Sequence, residues 1–316
     1  MNKITLKNKD MARLDQNAAA IYLTSLNSES GRRTMRQALN VCAGLLSENA
    51  DALSFAWYEL RFQHVTAIRT HLTEVYKPAT VNKMLAALRG VLKSAWLAGQ
   101  MSAEDFHKAA SVKSVKGTTL PAGRGLTSGE ITALMADCEH DTTNAGARDA
   151  AIIGLMYSCG LRREEVVTLA LADYDKESGR LVVKGKGNKE RIAWMTGGAV
   201  RALSDWLAVR GDNAGALFVA VNKSGRMYSQ KNMTPKTIYK MLAKRATEAG
   251  VKSFSPHDLR RSFISDLLDA GADITNVSKL AGHASVTTTS RYDRRPEEAQ
   301  RKAASLLHVP YAGRGA

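Results

Sequence analysis

The chain has 316 residues, 44% of them hydrophobic, and carries 45 Lys and Arg against 30 Asp and Glu, a formal net charge of +15 at pH 7. That length suits roughly two domains with ordinary cores, and no stretch approaches the ~18 consecutive apolar residues of a membrane span. Three widely separated cysteines, Cys42, Cys138 and Cys159, argue against a disulfide framework and against a cysteine-rich zinc site; with a charged N-terminus that lacks the apolar core of a signal peptide, they point to a reducing, cytoplasmic setting.

The excess charge is spread along the chain. Residues 1–120 carry 16 basic and 9 acidic side chains, and residues 121–316 carry 29 and 21, so both portions are basic. A folded basic protein attracts polyanions, nucleic acid foremost; a soluble protein that is merely basic is the alternative at this stage.

Helical periodicity dominates the first portion. A helix is expected from about Asp15 to Leu26, with others within 31–47 and 60–75. The clearest runs from Thr80 to Gly99. Thr80 suits the N-cap; Val81, Met84, Leu85, Leu88, Val91, Leu92 and Ala95 recur on one face; Gly99 suits the C-terminal stop. Lys83, Arg89 and Lys93 decorate the remainder. We read residues 12–106 as a bundle of four or five helices. Residues 107–125 lack apolar periodicity, contain Lys113 and Lys116 among glycines and one proline, and read as an exposed linker. Its charge suits a strap along a phosphate backbone and equally a solvated connector. Residues 126–316 form the second domain.

There, Thr127-Ser-Gly-Glu130 has capping-box spacing. Ala150–Tyr157 is an apolar helical segment, followed at once by Gly160-Leu-Arg-Arg-Glu-Glu165. Arg180–Lys184 and Glu190–Met195 read as strands around the turn GKGNK, which is not a Walker A loop. Ser204–Val209 and Pro235–Ala249 read as helices. Ser255-Pro-His-Asp-Leu-Arg-Arg-Ser-Phe263 opens another, with Ser255 at the cap, Pro256 at the first helical position and Asp258 completing the box. His257 and Arg260 share one face of its first turn, where backbone N–H groups favour an anion. Thr275–Leu280 is a short helix stopped by Gly282; His283 follows, and Tyr292 comes nine residues later among arginines. Taken singly, these are a charged turn, a solvated hairpin tip and a surface helix. The seven histidines show no metal-ligand spacing, so no metal site is expected.

Taken in order, they are more specific. Gly160-Leu161-Arg162 with Glu165, Lys186 in GKGNKER, His257-Asp-Leu-Arg260, Leu280-Ala-Gly-His283 and Tyr292 resemble the motif set of the tyrosine recombinase (phage integrase) family. The resemblance covers residues ~125–300 by motif and the N-terminal half by architecture only. Arg261 stands where many members place a second histidine, and Ala284 where serine is frequent.

The resemblance implies a mainly α fold with a small β-sheet. An N-terminal core-binding, SAM-like helical bundle would precede a mixed α+β catalytic domain. It implies site-specific cleavage and rejoining of DNA strands through a 3′-phosphotyrosine on Tyr292, without metal, nucleotide or other cofactor. A free phenol is only about one part in a thousand ionised at neutral pH, so this nucleophile needs help. Arg162, Arg260 and His283 would stabilise the pentavalent phosphate. His257 would accept or orient the phenol proton, Lys186 would protonate the departing 5′ oxygen, and Glu165 would hold an arginine or histidine in place. Further DNA contacts are expected from Lys83, Arg89, Lys93, Lys113, Lys116 and Lys189. The expected partner is double-stranded DNA, clamped between two basic domains; no membrane is involved. Residues 297–309 form an amphipathic helix expected to dock on a neighbouring protomer. That gives a homotetramer on two DNA sites, with a monomer or dimer off DNA. Only a dozen residues precede the first helix, which leaves little room for a further DNA-binding domain. Two other readings share the motifs: a type IB topoisomerase-like relaxase, and a DNA-binding regulator on the same fold that does not cleave.

Overall fold

The computed structural model describes residues 17–117, 123–185, 190–222 and 224–292, with 301, 304–306 and 310, the side chains of 229–231 excepted. The chain divides into two compact units, residues 1–120 and 121–316. Both are mainly helical, and the described strands form two separate two-stranded sheets. Among the described residues no helix is long and apolar enough to cross a membrane.

The first unit contains α1 (Ala18–Ser25), α2 (Glu29–Gly44), α3 (Phe62–Val75), α4 (Pro78–Leu97) and α5 (Ala103–Ala110). Helix α4 is the hub and touches the other four. Its buried face holds Val81, Met84, Leu85, Leu88, Val91, Leu92 and Ala95, the residues that periodicity groups together. It starts earlier than expected. Lys77 is the cap and Pro78 the first helical residue, because proline's fixed φ pre-forms that turn. Thr80 therefore lies within the first turn and caps nothing.

Helix α5 carries the bundle past the expected boundary at 106. The Ser102 hydroxyl accepts from the backbone N–H of Asp105 at 3.1 Å, and Phe106 and Ala109 are buried. The chain beyond stays docked on its own unit. Arg89 donates to the carbonyls of Ala110 at 3.2 Å and Val112 at 2.6 Å. Arg69 donates to the Lys113 carbonyl at 2.9 Å. The Asn82 amide exchanges two bonds with the backbone of Val115, at 3.0 and 2.8 Å. So the first part of the stretch read as an exposed linker belongs to the bundle. Side chains from α3 and α4 anchor its backbone, and such anchoring leaves no periodic trace in the anchored sequence.

The second unit runs α6 (Ser128–His140), α7 (Asn144–Ser158), α8 (Arg163–Thr168), β1 (Arg180–Lys184), β2 (Glu190–Trp194), α9 (Gly198–Arg210), β3 (Val219–Val221), β4 (Met227–Asn232), α10 (Pro235–Glu248), α11 (Pro256–Asp269), α12 (Ile274–Ala281) and α13 (Val286–Ser290). The Thr127–Glu130 capping box opens α6. Helix α7 is packed by α6, α9 and α11, with Ile152, Leu155, Leu203 and Trp206 fully buried between them. Arg245 of α10 is buried and donates to Asp149 at 3.0 Å, Asp137 at 3.2 Å and Asp141 at 2.5 Å, which fixes α10 to the α6–α7 pair. The Tyr157 hydroxyl donates to Asp266 at 2.8 Å and ties α7 to α11.

Strands β1 and β2 pair antiparallel, with Arg180 opposite Trp194 and Lys184 opposite Glu190. Leu181, Val183 and Ala193 face the core, as the alternation predicts. The turn between them, with Lys186 and Lys189, lies outside the described residues. One small sheet was expected; the β3–β4 hairpin is a second, missed because β3 has only three residues. The tail helix expected over 297–309 falls almost wholly outside the described residues.

Candidate active site

Five of the expected residues, Arg162, His257, Arg260, His283 and Tyr292, come together with Glu165 in the second unit. Four local structures place them. Helix α7 ends at Ser158, with Cys159 as its cap, and the chain turns at Gly160, whose φ is +59°. A side chain there would run into the Phe263 ring 2.3 Å away, so glycine lets the chain turn tightly against α11. The turn makes Arg162 the cap of α8. Helix α11 starts at Ser255, and its box is built from the carboxylate side. Asp258 accepts from the Ser255 backbone at 2.8 Å and from the Ser255 hydroxyl at 2.9 Å. That start exposes His257 and buries Arg260. Helix α12 ends at Gly282, in the left-handed conformation, and releases His283. Tyr292 follows the short helix α13, and its carbonyl accepts from the Ser265 hydroxyl at 3.1 Å.

The Tyr292 hydroxyl lies 2.8 Å from Nε2 of His257. The His283 ring lies nearly parallel to the Tyr292 ring, at 20° with centroids 6.1 Å apart. His283 Nδ1 is 2.8 Å from the Thr289 hydroxyl, and Thr289 is fully buried.

Arg260 is only 1% exposed. It donates to the carbonyls of Gly160, at 2.5 Å, and Ala281. Burial, and after it the charges of Arg162 and Arg191, push its guanidinium down to about 9, so it remains a cation at neutral pH. Arg162 donates to Glu165 at 2.8 Å and to the Gly282 carbonyl at 3.4 Å; its side chain is 42% exposed and reaches solvent.

Glu165 is buried. Burial acts to raise its carboxyl, but hydrogen bonds from Arg191, the Arg162 backbone and the Arg162 side chain hold it below the usual carboxylate range. Arg191 is the residue that motif reading passed over. It donates twice to Glu165, at 3.0 and 2.9 Å, and once to the Leu280 carbonyl at 3.0 Å. A signal was present. In the strand Glu190-Arg-Ile-Ala-Trp194, Arg191 shares the inward face with buried Ala193, and an arginine there demands a buried partner.

Both histidines are shifted toward the neutral form. Partial burial of the ring, then the charges of Arg260 and Arg261, lower His257, although the residue keeps an exposed edge. Burial, then Arg260 and Arg162, lower His283 to about 4. A neutral imidazole is able to take a proton from one side and give an N–H on the other. Three guanidiniums with one buried carboxylate leave a net positive pocket suited to an anion. A cleft of about 300 Å³ opens beside it, lined by Arg162, Tyr239, Pro256, His257 and Arg260 among others. Tyr239 is a second residue the motifs do not mark. Among the described residues no group of three or more His, Cys, Asp or Glu could hold a metal.

The outlying DNA-contact expectations divide. Lys83, Lys93, Lys113 and Lys116 are exposed. Arg89 is instead bound to the backbone of residues 110–112, so its guanidinium is committed to holding the chain after α5. Lys186 and Lys189 lie outside the described residues.

The phage integrase family model matches residues 124–298. Tyrosine recombinase XerD of Pseudomonas putida is 32% identical over 284 residues, 88% of this chain and 91% of that protein. Tyrosine recombinase XerC of Pelobacter propionicus is 36% identical over 164 residues, 52% of each chain, so here the match spans about half the relative's length. Among solved structures, the XerH site-specific recombinase bound to palindromic difH substrate in a post-cleavage complex is similar with a TM-score of 0.66. Its identity is 20%, with 94% of this chain and 96% of that one covered; this likeness is one of fold.

Proposed function

The chain belongs to the phage integrase family, and we propose that it is a site-specific DNA recombinase acting through a 3′-phosphotyrosine. The observation that carries this reading is the Tyr292 hydroxyl 2.8 Å from His257 Nε2, beside a cluster of guanidiniums suited to an anion. A phosphodiester seated there presents its phosphorus to the phenol oxygen. As that oxygen attacks, its proton passes to His257, the bond to the 5′ oxygen breaks, and the 3′ phosphate remains esterified to Tyr292. Lys186 supplies the proton that the 5′ oxygen takes up.

Negative charge builds on the nonbridging oxygens as the phosphorus becomes pentavalent. Fixed cations stabilise that charge more than the ground state. Arg162 and Arg260 are such cations, and Glu165 with Arg191 holds Arg162. With the Thr289 hydroxyl donating to His283 Nδ1, the imidazole proton sits on Nε2 and is available to a phosphate oxygen. Because the guanidiniums supply the charge, the step needs no metal. The ester retains the energy of the broken bond, so rejoining needs no nucleotide. Double-stranded DNA is the substrate, and two DNA sites are joined by a tetramer of this chain.

The test is to mix protein with a nicked duplex in EDTA and run a denaturing gel. A covalent adduct absent in Tyr292→Phe is expected. An adduct that persists in that variant, or that EDTA abolishes, contradicts the mechanism. Joining of two different duplexes distinguishes recombination from simple relaxation.

A further inference from the structure

Arg261 follows Arg260 on α11 and lies outside the motif set. Its side chain is 10% exposed. The guanidinium carbon stands 5.5 Å from the centroid of the Tyr292 ring. Nη1 donates to the Gly123 carbonyl at 3.3 Å, and Nε lies 3.9 Å from Asp258 Oδ1. That same Asp258 oxygen accepts from the Arg124 backbone at 3.0 Å, and the Leu126 N–H donates to the Ser262 hydroxyl at 2.7 Å. The chain entering the second unit is therefore pinned along the start of the helix that carries His257 and Arg260. Gly123 makes the approach possible. Its φ is +97°, and a Cβ there would lie 2.2 Å from the Asp258 oxygen, so only glycine brings this carbonyl to Arg261.

We propose that Arg261 is a positioning residue for the nucleophile. Its guanidinium holds the Tyr292 ring against His257 and, through the Gly123 carbonyl, couples the ring's placement to the segment entering the catalytic unit. A cation near an aromatic ring is attracted by the ring's negative face. A planar guanidinium can face a ring while its edge donates to a carbonyl, which a lysine ammonium does less well. The same charge favours the negative charge that gathers on the phenol oxygen as its proton leaves. A displacement of the entering segment then reaches the reacting oxygen through a single side chain.

This inference rests on the recombinase reading, and the experiment separates the two. Single-turnover cleavage of a nicked duplex is measured at saturating protein, with DNA affinity measured in parallel, for wild type, Y292F, R261K, R261M and G123A. Wild-type protein that forms no adduct overturns the recombinase reading itself. Given an adduct that Y292F abolishes, R261M should cleave about 30-fold more slowly, the loss expected for removing a desolvated cation from a ring face, with DNA affinity unchanged. R261K should fall between wild type and R261M, because it keeps the charge and gives up the planar contact, and G123A should be slowed to an intermediate degree as well. R261M cleaving at the wild-type rate, R261M losing DNA affinity in proportion, or R261K as slow as R261M would overturn the proposal. Should R261M not fold, G123A decides: slowed cleavage at unchanged affinity supports the coupling, and wild-type cleavage overturns it.

Discussion

Glu165 and Arg191 meet through two parallel hydrogen bonds, Nη1 to Oε1 at 3.0 Å and Nη2 to Oε2 at 2.9 Å, although they lie on α8 and β2. The same carboxylate receives the Arg162 side chain and the Arg162 backbone. One buried acid thus fixes the hairpin base and the cap of α8 together, and it is the counter-charge for a pocket otherwise made of cations.

Removing that counter-charge should therefore destabilise the free protein. Glu165→Gln leaves Arg162 and Arg191 facing each other without it. Breaking a buried pair from one side costs about 3–5 kcal/mol. Thermal unfolding should show a lower Tm, and added sulfate should recover more of it in the variant than in wild type, because an anion replaces the missing carboxylate. A variant that melts like wild type and ignores sulfate would remove Glu165 from this role.

The Thr289 hydroxyl offers a narrower test. It is fully buried and 2.8 Å from His283 Nδ1, and by donating there it would leave the imidazole proton on Nε2. Thr289→Val keeps the shape and deletes the hydrogen bond. A net loss of about 1 kcal/mol predicts roughly five- to tenfold slower single-turnover cleavage, with DNA binding unchanged. Cleavage at the wild-type rate would mean that the ring is oriented without Thr289.

Much of this site was legible because its residues sit at element ends that have sequence signatures. Pro256 after Ser255 marks the start of α11, and Gly282 marks the end of α12, so His257, Arg260 and His283 are placed to within a turn from the chain alone. Arg191 was not found, because its partner lies 26 residues away and no motif spacing records a contact between a strand and a distant helix cap. The backbone contacts of Arg89 were not foreseen for a related reason. An arginine on the polar side of an amphipathic helix reads the same whether it faces a phosphate or a backbone carbonyl of its own domain. In the fold, the helices with long apolar stripes were evident, whereas β3 has only three residues, too few for alternation to count, and α5 straddles the boundary read at 106.

Acid should weaken the folded state through the histidines. His283 ordinarily titrates near 6.5 and is lowered to about 4; His257 is lowered as well. Between those values the unfolded chain holds a proton that the folded chain does not, so stability falls as pH drops from 6.5 toward 4. Melting temperatures over that range should decline, and His283→Gln should flatten the decline. Bound DNA should do the same, because a phosphate in the pocket favours the protonated rings. A slope that His283→Gln leaves untouched would assign the effect to other groups.

Arg89 and its exposed neighbours on α4 should separate cleanly. Arg89 donates to the carbonyls of Ala110 and Val112, so Arg89→Met should free the backbone after α5. Faster amide hydrogen exchange over 110–115 is expected, with a stability loss of about 1–3 kcal/mol from two charge-assisted bonds. Lys83 and Lys93 are exposed on the same helix. If they touch phosphates, replacing each with glutamine should leave exchange unchanged and lower the salt dependence of DNA affinity by about 0.9 per contact in log–log slope. The two measurements together distinguish a side chain that builds the domain from one that meets the ligand. Arg89→Met with unchanged exchange over 110–115, and a reduced salt slope instead, would restore Arg89 to the DNA-facing set.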